Sequence, residues 1–81
     1  MLFRSVSVSQ FKKAIAANTS NFNSLNSAVN GLSSSNSINI EWNNGIFLAA
    51  NDALYNFAQS TLHFSNTQMS TLMTAAQSYT P

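Results

Sequence analysis

The apolar positions of the chain fall into rows with helical spacing. Phe11, Ile15, Phe22, Leu25, Val29 and Leu32 follow one another at steps of four, seven, three, four and three, a stripe interrupted only by Asn18. Ser7-Val8-Ser9-Gln10 opens this stripe with the spacing of a capping box, and Val6 and Phe11 stand where a hydrophobic staple would close around it. Gly31 and the run Ser33-Ser34-Ser35-Asn36 mark its end. The pattern predicts a first helix over about 7–32.

A second periodic stretch, about 45–79, carries two seams. One reads Phe47, Ala50, Leu54, Phe57, Thr61, Phe64; the other reads Leu48, Tyr55, Leu62, Met69, Ala76 at steps of seven, with Leu72 and Tyr79 three residues beyond its last two members. Ser65-Asn66-Thr67-Gln68 repeats the capping-box spacing, but no Gly or Pro accompanies it, which favours one unbroken helix. Between the two stretches Ile38, Ile40 and Trp42 alternate with Ser37, Asn39 and Glu41, a period of two. That alternation predicts an extended connector over about 33–44, with Asn43 as the cap of the second helix and Trp42 and Phe47 at its staple positions. The expected fold is all-α: an antiparallel two-helix hairpin forming one domain over 1–81.

One seam suffices to pack the second helix on the first. The other calls for a further neighbour, either a second copy or a different helical protein, unless both seams serve one wider core. Leu48, Tyr55, Leu62, Met69 and Leu72 are therefore the expected interface, paired in coiled-coil fashion. Size points the same way, because a core in 81 residues rarely supplies more than about 3–5 kcal/mol. With no cysteine to form a disulfide, dimerisation is the expected stabiliser.

Composition narrows the function classes. Fourteen serines and twelve asparagines stand beside a charged fraction of only 6%, against roughly 25% in ordinary soluble domains. Arg4, Lys12 and Lys13 are the only basic side chains, and the net charge of +1 offers no field for nucleic acid. One histidine, His63, and two carboxylates, Glu41 and Asp52, make a poor ligand set, so no metal or cofactor is expected. On one straight helix Asp52 and His63 would stand ~16 Å apart, and no nucleophile elbow or glycine-rich cradle accompanies them. The expectation is a protein that is not an enzyme. Asn18-Thr19-Ser20 matches the glycosylation pattern, as chance allows in so Asn- and Ser-rich a chain. The longest apolar run, Ile46 to Ala50, falls far short of the ~20 residues that cross a bilayer. MLFRSVSVSQ holds no apolar signal-peptide core, so export would proceed without a conventional signal peptide, and the protein is otherwise expected in the cytoplasm.

Glu41-Trp42-Asn43-Asn44-Gly45, followed by Ile46-Phe47 at the start of the second stretch, resembles the bend of the WXG-type (Esx-like) small proteins secreted by type VII systems. The charge-poor, Ser/Asn-rich composition is similar to the divergent relatives that accompany LXG toxins. The resemblance implies a helical hairpin with Trp42 and Gly45 at its bend, acting as a secreted homodimer or as the partner and targeting factor of a larger effector. The chain departs from the family by placing two residues, not one, between Trp42 and Gly45. It also lacks the aromatic residue followed four positions later by an acid, since Tyr55 is followed there by Gln59. Two other classes suit the same seams: a self-assembling filament subunit (secretion needle, pilus or viral coat) and a module that binds a peptide or lipid.

Overall fold

The computed structural model describes residues 6–49 and 52–80, so Arg4 and the seam residue Ala50 lie outside the described residues. In chain order the elements are β1 (Val6–Ser7), α1 (Val8–Ala16), α2 (Thr19–Asn30), α3 (Ser37–Asn44), β2 (Phe47–Leu48), α4 (Ala53–Leu62) and α5 (Asn66–Ala76). The chain is mostly helical, as expected, but it is not a two-helix hairpin. A helix spanning 45–79 would alone measure roughly 50 Å, whereas the longest dimension of the molecule is 34 Å.

A cap or a turn marks each departure. The first stretch breaks at Asn18, whose side chain accepts the Asn21 N–H at 3.1 Å and starts α2 afresh. The supposed extended connector holds α3: Asn36 caps it by accepting the Ile38 N–H at 2.9 Å, and Ile38 and Trp42 share its inner face. Asn43 lies inside that helix and caps nothing, and Phe47 is exposed rather than stapled to Trp42. The second stretch divides twice. Its first residues form β2, and α4 ends where His63 turns left-handed (φ 56°). There the Phe64 N–H reaches back to the Gln59 carbonyl and the His63 N–H to the Ser60 carbonyl, the Schellman closure of a helix end. Ser65 and Gln68 then form a full capping box that opens α5.

The capping box at Ser7 and Gln10 forms as the spacing predicted, with bonds of 2.8 and 2.9 Å. Ser7 also belongs to β1, which pairs antiparallel with β2 in the register Val6↔Leu48 and Ser7↔Phe47. Side chains alternate across a strand, so the inward turn of Leu48 sends Phe47 outward. Helix α1 packs on α2 and α5, α2 on α4, and α3 on both α2 and α4. Phe11, Leu25, Leu48, Leu54 and Met69 are fully enclosed where these layers meet. The accessible surface of 4815 Å² is close to the ~4,800 Å² expected of a folded monomer of this mass. The chain thus covers its own core.

The corner between α1, α3 and β2

Trp42 is the hub of one end of the molecule. It is 99% enclosed, its ring lies 5.8 Å from that of Phe22 on α2, and its Nε1–H donates to Asn26 Oδ1 at 2.9 Å. Above it, Lys12 Nζ stands 4.7 Å from the ring centroid and donates to the Trp42 carbonyl at 3.1 Å. Burial against this ring pushes the Lys12 ammonium below the ordinary lysine range. Lys13, one residue on and exposed, donates to the Thr80 carbonyl at 2.8 Å, while Gln10 Nε2 donates to the Tyr79 carbonyl at 2.7 Å. These two bonds tie the end of the chain to α1.

A row of asparagines locks α3 against α2. Asn39 Nδ2 donates to the Val29 and Leu32 carbonyls at 3.3 and 3.2 Å, bridging α3 to the end of α2 and to the residue beyond its cap. Asn43 Nδ2 reaches Asn30 Oδ1 at 3.1 Å, and Asn30 in turn reaches Asn26. Gly45 ends α3 with its N–H on the Glu41 carbonyl at 2.8 Å, and the Val8 N–H then takes the Ile46 carbonyl at 3.0 Å. The turn between α3 and β2 is therefore anchored at both ends.

This architecture leaves an open groove of about 320 Å³ at the corner. Val8, Ser9, Lys12 and Lys13 line it from α1, and Trp42, Asn43 and Gly45 line it from the end of α3. Beside it Ile46 and Phe47 are 71% and 70% exposed, the two most exposed large apolar side chains among the described residues. The corner thus joins two ammonium groups and an aromatic ring, and the exposed Ile46 and Phe47 follow Gly45 directly in the chain.

The expected interface residues go elsewhere. Leu48, Tyr55 and Met69 are buried in the chain's own core, while Leu62 and Leu72 are half-buried against it. Leu48, Tyr55 and Met69 take a core place because the breaks at β2 and His63 fold the seam back onto α1 and α2. Trp42 and Gly45 stand at the end of α3 and not at the bend of a two-helix hairpin. His63 is an exposed helix end. Sequence reasoning missed Lys12 over Trp42 and the asparagine row. The i, i+4 pairs Asn26/Asn30 and Asn39/Asn43 were the available signal.

One polar atom sits poorly. Glu41 Oε1 is buried and meets no hydrogen-bond donor among the described residues. An unmet buried acceptor costs about 1–3 kcal/mol, so Glu41→Met is expected to stabilise the fold by about 1 kcal/mol in urea denaturation. A destabilised variant would show that the carboxylate does have a partner.

Comparison with family models, curated proteins and solved structures finds no match to this chain.

Proposed function

We propose that the chain is a non-enzymatic protein-binding module that presents this corner to a larger partner protein. The observation carrying the reading is the exposure of the consecutive residues Ile46 and Phe47, where a turn held at both ends by backbone hydrogen bonds runs into β2. Exposed apolar side chains on a rigid support are the usual anchors of protein recognition. A stable dimer buries roughly 1,200–2,000 Å². A corner built on two apolar side chains suits a partner that supplies a protruding segment better than it suits a second copy. The role stays that of a small companion to a larger effector, the role the WXG-type likeness implies, with export independent of a conventional signal peptide.

Light scattering over a hundredfold concentration range is expected to give one mass near 8.8 kDa. A photoreactive side chain at position 47, introduced in the producing cell, is expected to capture one larger protein, and one at the exposed Ser20 none. A constant dimer mass, or crosslinks only between copies, would replace this reading with self-pairing. Open-ended growth in mass would replace it with a filament subunit.

A further inference from the structure

Resting on the corner's role in protein binding, we propose that its occupant is an extended, acidic segment of the partner. Its carboxylate would sit at Lys12 and Lys13, and an apolar neighbour would lie on Ile46 and Phe47.

The extended form follows from the edge of β2. The Val8 N–H bonds to the Ile46 carbonyl, and the Ser7 N–H is taken by Gln10 Oε1. In an antiparallel ladder these bonds make Ser7↔Phe47 a pair that exchanges no hydrogen bonds. The N–H and C=O of Phe47 therefore point away from β1, and they meet no partner among the described residues. A strand edge with free main-chain groups and an exposed aromatic side chain is the substrate of strand addition. Gly45, on the rim of the groove, stands two residues from Phe47, at most about 7 Å along the chain. A ligand lying along the edge thus reaches the groove within two of its own residues.

The acidic character follows from charge. Lys12 and Lys13 each use one ammonium N–H on a backbone carbonyl, which leaves two donors on each. Among the described residues neither is paired with a carboxylate, and neither Glu41 nor Asp52 lines the groove. The Trp42 ring beneath Lys12 excludes water from one side, which strengthens attraction to an incoming carboxylate.

The test selects a displayed library of random dodecapeptides on the full chain and measures the selected peptides by fluorescence polarisation. Selected sequences are expected to alternate acidic and apolar residues and to bind more weakly as salt rises. Ser9 is exposed, lines the groove and lies in the first turn of α1, where an added carboxylate favours the helix. Ser9→Glu should keep the fold and weaken binding about tenfold, and Lys13→Gln should weaken it in the same direction. Phe47→Ser should abolish it. Peptides without acidic bias, or binding that ignores Ser9→Glu and Lys13→Gln but is lost with Phe47→Ser, would overturn the acidic segment and leave the corner's binding role standing. Selection of no peptide that depends on Phe47, together with no partner captured from position 47, would overturn both.

Discussion

Replacing Trp42 with alanine is expected to cost about 3–5 kcal/mol, the range for deleting a fully buried large aromatic side chain. Folded domains are stable by only about 0.05–0.15 kcal/mol per residue, so such a loss consumes much of what 81 residues hold. The effect is large because one ring joins three helices: it lies on Phe22 of α2, supports Lys12 of α1 and belongs to α3. Trp42→Phe separates packing from hydrogen bonding. It keeps a ring beside Phe22 and removes the Nε1–H, while Asn26 Oδ1 still accepts from Asn30 at 3.0 Å. That variant should lose only about 1–2 kcal/mol. Urea denaturation followed by circular dichroism measures both changes. A Trp42→Ala protein within about 1 kcal/mol of the parent would show that the corner does not rest on this ring.

The parts of this fold that were legible in the sequence are those whose cause is local. Ser7 with Gln10, and Ser65 with Gln68, carry all the atoms of a capping box within four residues, and both boxes form, the second against the expectation of one unbroken helix. What escaped depends on neighbours distant in sequence. Phe11, Ile15, Phe22, Leu25 and Val29 keep one helical row across the break at Asn18 because α1 and α2 face a common core, and the row hides the break. Ile38, Ile40 and Trp42 satisfy a period of two, yet Ile38 and Trp42 alone also satisfy a helix. The 47% exposure of Ile40 shows that the helical reading won. His63 takes a left-handed conformation usually left to glycine or asparagine, so no residue type announced the end of α4. The steps of seven from Leu48 to Met69 describe an outer seam only on a straight helix. Once β2 and His63 bend the chain, the same residues close the interior. Asparagine was the least legible type, because it caps helices at 18 and 36 and bridges them at 26, 30, 39 and 43, with the distinction made by tertiary contact.

Gly45→Ala is the second substitution expected to act strongly, and through space rather than torsion. Gly45 has φ −70° and ψ 156°, a conformation open to any residue. A Cβ there would stand 2.5 Å from the Glu41 carbonyl oxygen and 3.1 Å from the carbon and Cα of the same residue. All three are backbone atoms in the last turn of α3, so no rotamer change relieves the contact. Either that turn unwinds, breaking the 2.8 Å bond from the Gly45 N–H to Glu41, or the link to β2 swings outward. The expected loss is about 2–3 kcal/mol, the upper part of the range for overpacking. Gly31 supplies the internal control. A Cβ there meets the Ser27 carbonyl oxygen at 3.3 Å and that of Ala28 at 3.5 Å, so Gly31→Ala should change stability by no more than about 0.5 kcal/mol. Because Ile46 and Phe47 follow Gly45 directly, its substitution should also displace their amide resonances and weaken binding at the corner in the molecules that still fold. Equal stabilities for the two alanine variants would refute the close approach at Gly45. A destabilised Gly45→Ala whose Ile46 and Phe47 resonances stay in place would assign the strain to α3 alone and leave the corner's geometry independent of this glycine.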